Sequence, residues 1–153
     1  MALGRQRSSV GPVPAVTLSA SPRGPFYDGL ARAFEAESAD PFLERLVAHC
    51  YTASRGRPSI PPGVYFRMRF VALLEGIASQ RELAWRCSDS LTLRRFLGYS
   101  PHESTPDHST LTVVRRRVSP ELHASALRFL AAAAQKHHVL RGRRLEEPPP
   151  TVL

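Results

Sequence analysis

Lysine is nearly missing from this 153-residue chain: Lys136 stands alone among 21 cations, so the basic charge is carried by arginine. Acids are also scarce, 13 Asp and Glu, which leaves a formal net charge of +8 and an isoelectric point near 10.7. That balance draws the chain to polyanions. The arginine bias also fits a GC-rich coding sequence; the electrostatic consequence is the same. There are only two cysteines, Cys50 and Cys87, 37 residues apart and in apolar settings. They form no Cys-x-x-Cys pair, so neither a disulfide framework nor a zinc site is indicated, and both read as buried thiols in a reducing cytoplasm. Long apolar runs are absent. No segment reaches membrane-spanning length, and Pro12, Pro14 and Pro22 interrupt the weakly apolar start, so no signal peptide or membrane anchor is expected. No basic helix carries the apolar face of a membrane binder, which leaves nucleic acid as the polyanion.

Catalytic patterns are missing too. The chain has no Walker loop, no dinucleotide fingerprint and no spread of carboxylates suited to two metals. Its six histidines offer no zinc spacing. Asp107-His108-Ser109 lists the members of a hydrolase triad, but neighbours in sequence point around a turn and do not converge. No catalytic residue, metal or cofactor is assigned, and Trp85 reads as core.

What is present is helical periodicity between two irregular ends. Residues 1–24 are rich in Gly, Pro, Ser and Arg and read as a disordered arm, although Arg5, Arg7 and Arg23 could touch phosphates. Residues 25–140 read as one all-α domain, a small bundle of six or seven short helices with disordered termini. Residues 141–153 read as a disordered and aberrant tail, since Pro148-Pro149-Pro150 continues neither helix nor sheet. Phe26, Leu30 and Phe34 repeat every fourth residue. Asp40-Pro41 reads as a helix start, with Phe42, Leu43, Leu46, Val47, Cys50 and Tyr51 on one face. Ser59 is expected to cap the next helix, with Pro61-Pro62 in its first turn. From Val64 to Ile77 that helix is apolar nearly all round and should be buried, interrupted by Arg67 and Arg69 and stopped by Gly76.

The basic charge concentrates here. From Arg55 to Val118 the chain carries 11 arginines against five acids. Ser79-Gln80-Arg81-Glu82 is a capping box. A helix through Leu83, Ala84 and Cys87, a polar turn at Ser88-Asp89-Ser90, and a helix from Leu91 to Leu97 closed by Gly98 have the layout of a helix-turn-helix. Leu91, Leu93, Phe96 and Leu97 are expected to pack inward, with Arg94 and Arg95 outside; an ordinary helical hairpin with solvated arginines has the same pattern. Thr105-Pro106 reads as the opening of a further helix that starts polar, with His108, Ser109 and Thr110, and ends in Arg115-Arg116-Arg117. Those cations either complement the helix dipole or grip phosphates while the polar end meets base edges. A single dipole does not need three arginines, which favours the second reading. Ser119-Pro120-Glu121 starts an alanine-rich last helix that closes the bundle and could serve in dimer contact.

In this order, the pieces resemble a known family. Arg55-Gly56-Arg57-Pro58-Ser59-Ile60-Pro61-Pro62, the buried helix, Ser79-x-Arg81-Glu82-Leu83, Arg94-x-Phe96-Leu97-Gly98 and Thr105-Pro106-Asp107-His108-Ser109-Thr110-Leu111, followed by the arginine triplet, look like the N-terminal domain of bacterial DDE transposases of the insertion-sequence-five group and its relatives. The likeness covers roughly residues 25–142. It implies a module of double-stranded DNA binding that recognises the terminal inverted repeats of a mobile element, in the bacterial cytoplasm with the nucleoid. The family's catalytic domain opens just after the position of Arg141-Gly142 with an aspartate-bearing strand. Arg143 to Pro150 does not look like that strand and the sequence stops at Leu153, so the resemblance implies a truncated transposase without the DDE carboxylates and without enzyme activity. A frameshift, a premature stop or a short regulatory product would each give such an ending. The residues expected on DNA are Arg81, Arg86, Arg94, Arg95, Arg115, Arg116 and Arg117 on phosphates, and His108, Ser109 and Thr110 on base edges. The alternative is a protein-interaction module, a homodimer or an inhibitor docking on a full-length transposase; a decayed remnant is the third reading.

Overall fold

Every described segment with regular structure is a helix in the computed structural model, which describes residues 3–4, 23–51 and 59–141. The expectations for the rest of the N-terminal arm, for Arg55 and Arg57, and for residues 142–153 lie outside the described residues. Seven α-helices follow one another: α1 (Gly24–Ala36), α2 (Ala39–Val47), α3 (Pro62–Glu75), α4 (Gln80–Asp89), α5 (Leu91–Leu97), α6 (His108–Arg117) and α7 (Pro120–Lys136). One 3-10 turn, Ala48–Cys50, extends α2. The all-α reading holds.

Helix α3 is the centre. Pro62 to Met68 and Phe70 to Ala72 are all buried, as its continuous apolar sequence requires. It packs against α2, α4, α5 and α7. Helix α7 lies across α1, α2 and α3, burying Ala126, Leu130, Ala133 and Ala134 and stacking Phe129 on Phe42 of α2 with centroids 3.9 Å apart. Ala126, Ala133 and Ala134 therefore let α7 approach the bundle closely, while Ala124 and Ala132 face solvent. Helix α6 lies on α4.

Four helices start on the same device. The side-chain oxygens of Ser79, Ser90, Asp107 and Ser119 each accept the backbone N–H three residues on, at 3.0, 3.2, 2.8 and 3.3 Å, satisfying donors that the first turn leaves free. Gly76 and Gly98 end α3 and α5 in the left-handed region, at φ 69° and 83°, a conformation that glycine reaches without steric cost.

Several local expectations are corrected. The cap of α6 is Asp107, since the helix begins at His108, and Pro106 upstream is buried. Ser59 caps nothing, because α3 starts at Pro62 with Pro61 at its N-cap. Asp40 is inside α2, which begins at Ala39 behind a left-handed Ser38; its carboxylate turns to Arg67 instead. The link between α4 and α5 is Ser90 alone, for Ser88 and Asp89 stay helical. Trp85 is 63% exposed and Leu91 45%. Both errors have one cause. The inward positions are Leu83, Ala84 and Cys87 in α4 and Leu93, Phe96 and Leu97 in α5, and two helical steps turn a side chain by about 200°. Trp85 and Leu91 each stand two residues from an inward leucine and so face away. Cys87 is buried, its thiol pushed up to about 12 by loss of solvent, whereas Cys50 is only half-buried.

Candidate nucleic-acid interface

The chain's arginines separate into those the fold consumes and those it leaves outside. Arg67 is consumed entirely. It is 6% exposed, donates to both oxygens of Asp40 at 2.6 and 3.1 Å, and holds its guanidinium 5.9 Å from the ring centroids of Phe34 and of Phe96. Arg86 grips Glu75 through Nε and Nη2 at 2.8 and 3.1 Å. The same carboxylate accepts from the Tyr27 hydroxyl at 2.8 Å and from Arg23 at 3.0 Å. Burial raises the Glu75 pKa, but the hydrogen bonds of Arg86 and Tyr27 outweigh it and hold the carboxyl below its usual range. Arg94 is turned inward to backbone: it donates to the carbonyls of Ser88 at 2.7 Å and Glu103 at 2.6 Å, with longer contacts to Ser100 and Pro101. It thus ties the end of α4 to the loop after α5.

Arg95 is different. It meets Asp28 of α1 at 2.9 Å, but both side chains are well exposed, 64% and 42%. A solvated pair of this kind contributes little, and a phosphate could replace the carboxylate. Arg81, Arg116 and Arg117 are exposed and form no ion pair among the described residues. Arg81 stands on α4, and Arg116 and Arg117 close α6, which packs on α4, so these three cations come from adjoining helices. At the other end of α6, Ser109 is exposed while His108 and Thr110 are half-buried. Thr110 N–H is taken by Asp107, and the His108 carbonyl accepts from Thr112 Oγ1 at 2.8 Å. The hydrogen bond from Thr110 N–H holds the Asp107 carboxyl below its usual range, so that cap stays charged and fixed.

One pair joining α3 to α7 was not legible in the sequence, Tyr65 with His123. The Tyr65 hydroxyl is 2.7 Å from His123 Nε2, and His123 Nδ1 is 3.0 Å from the Ser119 carbonyl. A carbonyl only accepts, so Nδ1 carries the hydrogen and Nε2 accepts from the tyrosine. Burial, against the pull of the Ser119 bond and with the charges of Arg69 and Arg115 added, lowers the His123 pKa. Burial pushes the Tyr65 phenol up to about 12. For the arginines of α3 the signal in the sequence was the pair Arg67 and Arg69, two positions apart in an otherwise apolar helix. The spacing sends them to different faces, and only packing decides which face supplies an acid.

The lowered His123 pKa has a sign that can be checked. Below its ordinary value of 6.5 the unfolded chain takes a proton that the folded one refuses, so this group's contribution to stability is full above pH 6.5 and is lost as the pH falls toward the folded pKa. Urea midpoints should fall between pH 7.5 and 5.5, and His123→Gln should flatten that fall. An equal fall in the variant would remove His123 as its source.

Among the described residues no group of three His, Cys, Asp or Glu side chains is placed to hold a metal ion, and no helix is long and apolar enough to cross a membrane. Residues 18–117 match the family model described as Transposase domain (DUF772). No curated protein and no solved structure matches the chain.

Proposed function

Because the chain belongs to this transposase-domain family, we propose that it serves DNA transposition by binding the terminal inverted repeats of an insertion sequence, with α6 as the helix that meets the duplex. The single observation that carries the reading is the make-up of α6. Exposed Arg116 and Arg117, without acid partners among the described residues, stand at one end and the capped polar turn of His108, Ser109 and Thr110 at the other. Ten residues of helix span about 15 Å, comparable with a major groove about 12 Å wide. The arginines then reach phosphates while the polar end reaches base edges. Arg81 extends the phosphate contact from α4, and Arg95 joins by exchanging Asp28 for a phosphate.

On this reading Arg86 and Arg94 support the interface from inside the fold and do not touch DNA, because Glu75 and the carbonyls of Ser88 and Glu103 already hold them. The α4–α5 pair keeps the sequence order of a helix-turn-helix, yet α5 is seven residues long, and the cation it offers the duplex is Arg95, which must first exchange Asp28. Strand cutting and joining are assigned to no residue of this chain. The DNA partner puts the protein with the nucleoid in the bacterial cytoplasm.

The test is fluorescence anisotropy with a duplex carrying the terminal repeat and a scrambled duplex of equal length. The repeat should bind tighter by a factor on the order of 10³ at physiological salt. Equal affinities would leave only polyanion attraction and remove repeat recognition. One observation favours the second reading, docking on another copy or on an intact transposase: Trp85, Leu91 and Val113 are large apolar side chains standing exposed on α4, α5 and α6. Co-purification with an intact transposase that survives nuclease treatment and is lost in Trp85→Ser would support that docking.

A further inference from the structure

We propose that the recess between α1 and the end of α7 is the docking site of an acidic segment of this same chain, Leu145-Glu146-Glu147. The inference does not rest on the DNA-binding reading.

The recess forms because the chain turns back toward α1 where α7 ends. His138 takes the left-handed conformation, φ 57°, and the Val139 N–H donates to the Ala134 carbonyl at 2.9 Å, a closure common at helix ends. The chain then leaves the axis of α7, buries Leu140 and brings Arg141 to the recess. On the α1 side, Gly29 leaves room for two side chains. A Cβ added there would stand 3.8 Å from Arg32 Nη2 and 3.9 Å from Val139 Cγ2, so both lie over that glycine. The cavity has a volume of about 850 Å³, within the roughly 300–1,000 Å³ of ligand pockets.

Its lining has two characters. Phe26, Ala33 and Val139 are apolar, Arg32, His138 and Arg141 are basic, and no acid lines it. Glu37, at that end of α7, is already engaged: it accepts from Lys136 and from His137, each at 2.8 Å. Arg32, His138 and Arg141 are exposed and form no ion pair among the described residues. A surface of this make-up selects a partner that is both apolar and anionic, since burial rewards an aliphatic side chain and guanidinium groups favour carboxylates. A duplex backbone brings phosphates but no aliphatic side chain for Phe26 and Val139.

The chain supplies such a partner itself. Of its 13 acids, only Glu146 and Glu147 lie outside the described residues, and Leu145 precedes them. Four residue steps separate Leu145 from Arg141, a reach of at most about 14 Å, so the segment is tied to the edge of the recess. Leu145 covers Phe26 and Val139, while the two carboxylates meet Arg32, His138 and Arg141. A short tether raises the effective concentration to the millimolar range, so a contact too weak to hold a free peptide closes within the chain.

The test uses thermal melts of the full chain. Glu146→Lys with Glu147→Lys should lower the Tm by about 4 °C. Arg32→Glu should lower it similarly, and the three changes together should restore most of the loss. Leu145→Asp should lower the Tm too, and Leu145→Met should not. A Tm unchanged by reversing Glu146 and Glu147, or losses that simply add in the combined variant, would overturn the docking. A Tm that rises with protein concentration, together with a dimer in sedimentation equilibrium, would overturn the assignment to the same chain and put the segment on a second copy. Arg32 is exposed, so its reversal should leave the bundle intact; should Arg32→Glu not fold, Arg141→Glu takes its place under the same outcomes.

Discussion

Replacing Asp40 by alanine should cost this fold about 3 kcal/mol, the lower end of what breaking a buried ion pair costs. The reason is the position of Arg67. Its side chain is 8% exposed and that of Asp40 23%. Four helices meet at the guanidinium: it grows from α3, its carboxylate comes from α2, and the rings of Phe34 and Phe96 from α1 and α5 flank it. With Asp40 gone, only those ring faces remain, and the Arg67 Nε is already buried without a partner. Partial exposure of Asp40 lets water soften the loss and keeps it at the low end of that range. Urea unfolding followed by circular dichroism measures it. A loss under about 1 kcal/mol would mean that the pair behaves as a surface bridge. The double variant Asp40→Leu with Arg67→Met should recover most of the stability, because removing both charges removes the desolvation penalty along with the attraction.

The triple variant Arg115→Ala, Arg116→Ala, Arg117→Ala should lose duplex affinity by a factor on the order of 10² at 0.1 M salt, and the slope of log K against log salt should shrink by about 2.7, three phosphate contacts at roughly 0.9 each. The fold should survive. Arg116 and Arg117 are exposed, and removing Arg115 takes a like charge away from Arg69. Unchanged affinity in a variant with a native circular dichroism spectrum would move the interface elsewhere. Fully unchanged salt dependence would show that the triplet only complements the dipole of α6. Together with Asp40→Ala, this variant separates arginines that hold the bundle from arginines offered to a partner.

The helices were readable because their signals are local. The continuous apolar run from Val64 placed α3 in the centre, Ser79 and Ser119 marked helix starts by their caps, and Gly76 and Gly98 marked ends by the conformation they allow. Boundaries were less readable where two capping residues compete. Thr105-Pro106 looks like a start, but Asp107 forms the stronger, charged cap and Pro106 packs inside. Trp85 failed for a different reason: its type favours burial, yet its phase on α4 is set by Leu83 and Cys87, and phase prevailed.

The roles of the arginines were the least readable. Arg86, Arg94, Arg95 and Arg116 are the same residue in similar basic settings, and sequence gave them the same expectation. Their fates depend on what another helix brings within reach: Glu75 for Arg86, carbonyls beyond α5 for Arg94, exposed Asp28 for Arg95, and no acid among the described residues for Arg116.

By itself, the sequence determined that this protein is a helical, arginine-rich domain with its charge gathered between Arg55 and Val118, and the order of its motifs pointed to a transposase family. Helix caps, helix phase and net charge are properties of short stretches, so no folding was needed to read them. The tertiary structure alone decided which charges are neutralised. An ion pair joins residues far apart in the chain, Arg67 with Asp40 or Arg95 with Asp28, and whether a guanidinium finds its acid is fixed only when helices pack. It is that pairing which leaves Arg69 without an acid partner among the described residues and leaves Arg81, Arg116 and Arg117 exposed.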